Sequence, residues 1–201
     1  IYTSKKRSES IAILIKDNHD VAIMDDGFQD FSIKPDFSIL CFNSKQLIGN
    51  GFTIPSGPLR ESFSSIKRAD CIFINGKKNL EFEKKIRKIN SEIKIFYTFY
   101  KPKNLDRFKN KKVVAFAGIG NPQNFFDLLK ENNIHAEKEI SFPDHHNYTK
   151  NDYHKIINSN NKDTSFVTTE KDYYRLDNEI KKKFDYINID LEIINKDEFI
   201  N

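Results

Sequence analysis

Long hydrophobic runs are missing from this 201-residue sequence. The longest apolar stretches resemble Val21-Ala22-Ile23-Met24 and Cys71-Ile72-Phe73-Ile74, far short of a bilayer span. Cysteine is scarce as well, with only Cys41 and Cys71. Both sit in strand-like apolar runs, so they read as reduced core residues and exclude a disulfide scaffold or a cysteine metal site. Glycine and proline are sparse, at 7 and 6 residues, which gives weight to the few places where they cluster. No Gly-x-x-x-x-Gly-Lys-Ser/Thr occurs anywhere, so the chain has no Walker A phosphate loop of its own. It opens on Ile1 and not Met, and the expectation is that the natural chain starts earlier.

What is present suits a folded core. Hydrophobic residues make up 38%, charged residues 31%, and there are 18 Phe, a composition that excludes global disorder. The length suits one large domain or two small ones. A formal net charge of +4, carried mostly on Lys, permits attraction to phosphates or anionic lipid and requires neither. Aromatics alternate with aliphatics at strand spacing, as core residues do, and the expectation is that nucleic acid is not a partner.

Periodicity alternates between helix and strand. An amphipathic helix is expected over Ser4 to Lys16, with Ile11, Leu14 and Ile15 on its apolar face. A buried strand is expected over Val21 to Met24, and further strands over Phe37 to Phe42 and Cys71 to Ile74. A helix over Leu80 to Ile89 and an extended segment over Ile93 to Tyr100 follow. A second unit begins near Pro102: a strand over Val113 to Ala117, a helix over Gln123 to Glu131, and a strand over Glu137 to Phe142. Then come a helix over Tyr153 to Asn158, a loop over Asn158 to Lys162, a strand over Ser165 to Thr168 and an extended Tyr186 to Ile194. This alternation predicts an α/β fold with parallel sheets covered by helices.

Five clusters could carry chemistry. Asp25-Asp26-Gly27-Phe28-Gln29 ends an apolar run in carboxylates, as a Mg²⁺ site against nucleotide phosphates does; a plain turn with Asp as cap is equally compatible. The Gly- and Pro-rich stretch from Gly49 to Glu61 could grip an anion with its amides and Arg60, or be a structural loop with Arg60 paired to a carboxylate. Gly118-Ile119-Gly120-Asn121-Pro122 suggests a phosphate site at a helix N-terminus or a tight strand-to-helix turn. Gln123 stands where the dinucleotide-binding pattern needs its third glycine. Asp144-His145-His146 could orient a general base, bind metal, or form an exposed turn. Thr168-Thr169-Glu170-Lys171-Asp172 fits a strand end followed by a helix cap, with Lys171 a candidate for a cleft. His19, His135 and His154 lack such context and read as surface residues.

The order of these clusters is more specific than any one of them. Asp25-Asp26-Gly27-Phe28-Gln29, Gly49-Asn50-Gly51 with Pro55-Ser56-Gly57-Pro58-Leu59-Arg60-Glu61, Ala117-Gly118-Ile119-Gly120-Asn121-Pro122 with Phe125-Phe126, Phe142-Pro143-Asp144-His145 and Thr168-Thr169-Glu170-Lys171-Asp172 together resemble the tetraacyldisaccharide 4′-kinase family, from about Ile13 to Leu176.

The resemblance implies an α/β chain made of part of a P-loop-type α/β/α lobe followed by a second, smaller α/β/α lobe, joined by a short β linker. The first lobe would span 1–97, the linker 98–103 and the second lobe 104–201, with the active site in the cleft. It implies transfer of the ATP γ-phosphate to the 4′-hydroxyl of an acylated glucosamine disaccharide 1-phosphate, giving lipid IVA, with Mg²⁺ required. The site of action would be the cytoplasmic face of the bacterial inner membrane, through peripheral contact. Carried over by motif, Asp25 and Asp26 would organise Mg²⁺ and Gln29 would line the same cleft. Gly57 and Arg60 would shape the substrate side. His145, oriented by Asp144 and paired with an upstream Asp, would take the proton from the sugar hydroxyl. Asp30 stands where the family usually has His. With no Walker A loop in the chain, the expectation is a C-terminal portion that is inactive alone. Two other classes remain open: an Asp-His-His-type metal-dependent phosphoesterase, and a non-catalytic binding lobe.

Overall fold

A computed structural model describes residues 1–158 and 163–200. The expected loop over Asn158 to Lys162 lies, after Asn158, outside the described residues. Helices are α1 (Arg7–Lys16), α2 (Leu80–Arg87), α3 (Pro122–Glu131), α4 (Lys150–Ile157), α5 (Glu170–Tyr173), α6 (Asn178–Lys181) and α7 (Lys196–Ile200). Strands are β1 (Ile39–Asn43), β2 (Cys71–Asn75), β3 (Lys94–Pro102), β4 (Lys112–Ala117), β5 (Ala136–Ser141), β6 (Thr164–Thr169), β7 (Phe184–Ile187) and β8 (Ile189–Ile193). The chain forms two compact units, one of residues 1–99 with 192–201, the other of residues 100–191.

The first unit holds a sheet in the order β1-β2-β3-β8, with β1, β2 and β3 parallel. Residues Cys71 to Ile74 of β2 are all buried, as a strand covered on both faces must be. Ile72 and Ile74 pack with Ile66, Phe82, Ile86 and Ile93 on one face, while Cys71, Phe73 and Phe96 pack on the other. Asn79 starts α2 by accepting the Phe82 N–H at 3.0 Å, and Glu81 and Glu83 in the first turn with Lys84, Lys85 and Arg87 in the last complement the helix dipole.

The second unit is the parallel sheet β5-β4-β6-β7. Alternate residues of β4 divide the core. Val113, Ala115 and Ala117 meet Phe125, Phe126 and Leu129 of α3, while Val114 and Phe116 meet Ile140, Phe142, Tyr148, Tyr153, Ile156 and Phe184. The side-chain period of two along a strand places helices on both faces. Thr149 and Asp152 close a capping box at the start of α4, and Thr169 caps α5.

Four expectations need correction. Residues 21–24 form no strand: Val21 and Ile23 are 76% and 93% exposed, because no described strand pairs with them. The helix expected over Ser4 to Lys16 starts at Arg7 and buries no residue, since nothing covers the Ile11–Leu14–Ile15 stripe closely. Cys41 is exposed, not core: it lies on β1, at the edge of the described sheet, where Leu40 and Phe42 take the inward face. The second unit ends at Leu191, not at residue 201. Residues 192–200 return to the first unit because β8 lies beside β3 and Phe199 packs edge-on against Phe73 and Phe96.

Candidate functional site

In the second unit the carboxyl ends of three adjacent parallel strands bring three motifs together. Gly118-Ile119-Gly120 follows β4, Asp144-His145 follows β5, and Lys171 and Arg175 follow β6. Open α/β sheets bind ligands at this edge. The organising group is the Asp172 carboxylate, which is fully buried. Its Oδ2 accepts the Gly118 N–H at 2.9 Å and the Thr169 hydroxyl at 2.7 Å, and Arg175 stands 3.6 Å from its Oδ1. A buried carboxylate is tolerable only with such partners. Burial, with Asp172's charge beside it, pushes the Tyr148 phenol well above its ordinary range.

His145 sits on the far side of the same loop. Its backbone is left-handed, φ +58°, an uncommon conformation for a side-chain-bearing residue. The turn is fixed through the His145 N–H, which lies 3.1 Å from Gly118 O and 2.9 Å from Asp144 Oδ1. Arg175 then bonds the imidazole itself, Nη2 to Nδ1 at 2.8 Å, and also reaches Gly118 O at 3.4 Å. Asp144 was expected to orient the ring. It approaches Nε2 only at 3.8 Å, beyond hydrogen-bond length, and its neighbour Lys171 is 4.0 Å away. Asp144 therefore holds the backbone, and Arg175 holds the ring. Arg175 was missed in the sequence, although its i,i+3 spacing from Asp172 was a signal.

His146 does not join this cluster. Its ring stacks on Phe142 at 4.8 Å and bonds Asp152 at 3.1 Å. Burial works against the Asp152 carboxylate, but bonds from Thr149 and His146 outweigh it and hold the group below its ordinary range. The two imidazoles of Asp144-His145-His146 thus go to different partners. Among the described residues no group of three or more His, Cys, Asp or Glu is placed to hold a metal. The geometry disfavours the Asp-His-His phosphoesterase reading.

In the first unit, Asp26 and Arg60 form an exposed ion pair at 2.5 Å, and Arg60's hydrogen bond holds Asp26 below the ordinary carboxylate range. Asp26 also has a left-handed backbone, φ +52°, and Arg7 bonds the carbonyls of Asp25 and Asp26 at 3.1 and 3.2 Å. Arg7 further pairs with Asp30 at 3.1 Å. Gln29 is half-buried and lies against Glu61, whose carboxylate takes Arg68 at 2.9 Å. Arg68 also lies over the Phe28 and Phe31 rings. Asp25, Asp26, Gln29, Arg60 and Glu61 all line one open hollow of this unit. Gly57 does not line it. A Cβ there would lie 2.2 Å from Asn50 Oδ1 and 2.3 Å from Phe52 O, so this glycine is required by the close return of its own loop. Asn50 ties that loop by donating to Ser56 O at 2.8 Å and accepting the Phe52 N–H at 3.1 Å.

Fold and site together define an α/β protein with parallel sheets and charged side chains gathered at the carboxyl ends of strands. The sequence match is more particular: residues 1–201 match the family described as tetraacyldisaccharide-1-P 4′-kinase, and the chain belongs to that family. A tetraacyldisaccharide 4′-kinase of Pelagibacter ubique is 38% identical over 205 residues, covering 100% of this chain and 65% of that protein. One of Parvibaculum lavamentivorans is 33% identical over 177 residues, covering 87% and 52%. The crystal structure of the "apo" form of LpxK from Aquifex aeolicus in complex with ATP superposes with a TM-score of 0.70 at 25% identity, over 96% of this chain and 59% of that one. The chain thus spans roughly half to two thirds of the length of these relatives.

Two outcomes are expected at these sites. A Cβ at Gly118 would stand 3.0 Å from the Tyr148 hydroxyl and 3.2 Å from Asp172 Oδ1, both buried, whereas at Gly120 it would meet only Asp144 at 3.5 Å. Gly118→Ala therefore costs about 1 to 3 kcal/mol and Gly120→Ala much less, read by denaturant unfolding. The Asp30 carboxyl is pushed down to about 2, first by the Ser32 hydroxyl, then by the Ser32 N–H and Arg7. A depressed folded value means stability that is present above the unfolded carboxyl range and lost as pH falls toward 2. In a carboxyl-carbon NMR titration, Ser32→Ala raises the Asp30 midpoint more than Arg7→Ala does.

Proposed function

We propose that a protein carrying this chain is a lipid A 4′-kinase, which transfers the ATP γ-phosphate to the 4′-hydroxyl of an acylated glucosamine disaccharide 1-phosphate. The family match over residues 1–201 is the observation that carries this reading. The ATP in the Aquifex aeolicus structure supports the nucleotide, and the relatives' name supports the acceptor. Because this sequence has no Walker A loop, the phosphate cradle is assigned to the part of the relatives that the chain does not span.

Phosphoryl transfer needs positioning and charge neutralisation more than covalent chemistry from the protein. Asp25 and Asp26 are consecutive, exposed oxygen donors, and Mg²⁺ bound with substrate phosphates commonly uses one or two carboxylates. They fit that ion, with Arg60 competing for Asp26. When bound, the ion would offset phosphate charge. Arg60, released from Asp26, would be free to grip an anionic group. In the second unit, His145 presents Nε2 while Arg175 occupies Nδ1, and this exposed ring is assigned to the reacting hydroxyl. Lys171 and Arg175 add positive charge beside it.

The acceptor carries acyl chains, so we place the protein at the cytoplasmic face of the bacterial inner membrane, in peripheral contact. Among the described residues no helix is long and apolar enough to cross a membrane. Surface lysines suit anionic headgroups.

The test is transfer of labelled phosphate from ATP to the acylated disaccharide 1-phosphate. A protein in which this chain is joined to a Walker A loop of the family should catalyse it with Mg²⁺, and the 201 residues alone should not. His145→Ala should lower kcat on the order of 10²-fold or more. ATP-independent hydrolysis of a phosphodiester with Mn²⁺, without transfer, would refute the kinase reading.

A further inference from the structure

Arg175 bonds the ring nitrogen of His145 nearest to it, Nη2 to Nδ1 at 2.8 Å. A guanidinium has donors only and stays charged at any pH the fold survives. The nitrogen it meets must therefore be the acceptor. In a neutral imidazole one nitrogen accepts and the other carries the proton. With Nδ1 accepting, the proton is on Nε2.

Arg175 is well placed to enforce this. It is half-buried and held from two other directions, by Gly118 O at 3.4 Å and by the buried Asp172 carboxylate at 3.6 Å. The other charged groups near the ring are Asp144, 3.8 Å from Nε2, and Lys171, 4.0 Å from Asp144. A carboxylate on the Nε2 side also favours a proton there. Both sides of the ring thus point to one tautomer.

We propose that Arg175 is a positioning residue that locks His145 as its Nε2–H tautomer, so that His145 offers a hydrogen-bond donor at the reaction centre and not a proton-accepting lone pair. The consequence for phosphoryl transfer rests on the kinase reading above; the tautomer itself does not. It revises the expectation that His145 takes the hydroxyl proton. Nδ1 is occupied by Arg175, and Nε2 already carries hydrogen. His145 then steadies an acceptor atom through Nε2–H, and acceptance of the proton falls to a different group.

The test uses the intact protein labelled with ¹⁵N in its histidines, with the His145 signals identified by their loss in His145→Gln. Two-bond ring correlations are read at about pH 8, where an ordinary imidazole is neutral. The expected pattern is a pyrrole-type Nε2 and a pyridine-type Nδ1. Arg175→Ala should move both nitrogens toward the averaged values of mixed tautomers, and Arg175→Lys, which keeps a cationic donor, should restore most of the pattern. Unchanged Phe116 and Tyr153 ring signals establish that each variant is folded. Phosphate transfer should fall on the order of 10²-fold in kcat for Arg175→Ala with little change in the KM for ATP, and recover in part in Arg175→Lys. A pyrrole-type Nδ1 in the unaltered protein overturns the proposal. So does an Nε2–H pattern that survives Arg175→Ala in the folded variant. Absence of kinase activity in the intact, unaltered protein would sink the functional reading while leaving the ring pattern interpretable.

Discussion

A carboxylate that water never reaches governs the second unit. Asp172 has no exposed surface, and a buried charge of that kind is costly unless its lone pairs are taken; Oδ2 is bonded twice, while Oδ1 accepts no hydrogen bond. The Gly118 N–H and the Thr169 hydroxyl take two of them, and Arg175 supplies the opposing charge. Each partner has a structural consequence. Gly118 is pulled to the end of β4 and brings its carbonyl to the His145 N–H. Thr169 fixes the start of α5. Arg175 is aimed past Asp172 at the imidazole. One buried group thereby links the strand ends of β4 and β6 to the turn after β5, and the site inherits its geometry from the sheet.

The first unit relies on a different constraint. Its loop from Gly49 to Glu61 folds back so tightly that no side chain fits at Gly57, and Asn50 holds both arms. That return delivers Arg60 to Asp26 and Glu61 to Arg68. The segment before Asp25 lacks a comparable anchor. Val21 and Ile23 stay exposed, and Arg7 is what ties the Asp25-Asp26 turn and Asp30 to α1.

Much of this could be read from the residues in order. The all-apolar runs at Cys71–Ile74 and Val113–Ala117 foretold central parallel strands, and the Thr168-Thr169-Glu170-Lys171-Asp172 run foretold the cap of α5, whereas α4 starts at Lys150, ahead of the expected Tyr153. Val21–Met24 misled because apolar content reports suitability for a strand, while a strand exists only with a neighbour to bond. The unit boundary was misread because Phe199 reaches back to Phe73 and Phe96, a contact with no local sequence signal. At the site, the pairing of Arg60 with a carboxylate had been weighed and holds. The Asp144-His145-His146 triplet looked like one cluster, yet a left-handed residue at His145 sends adjacent imidazoles to Arg175 and Asp152. Tyr148 carried no motif, and Arg175 carried only its i,i+3 spacing from Asp172, since their roles depend on a buried carboxylate that only the fold reveals.

The central claim is that Asp172 holds the site together, and Asp172→Asn tests it with little change in volume. The measurement is hydrogen exchange at the Gly118 amide together with the ring-nitrogen signals of His145, in a variant shown to be folded. Losing the charge and part of the acceptor capacity should speed Gly118 exchange and shift the His145 ring away from its single tautomer. Unchanged exchange and an unchanged ring in folded Asp172→Asn would contradict the claim, and the strand ends would have to be held by something other than this carboxylate.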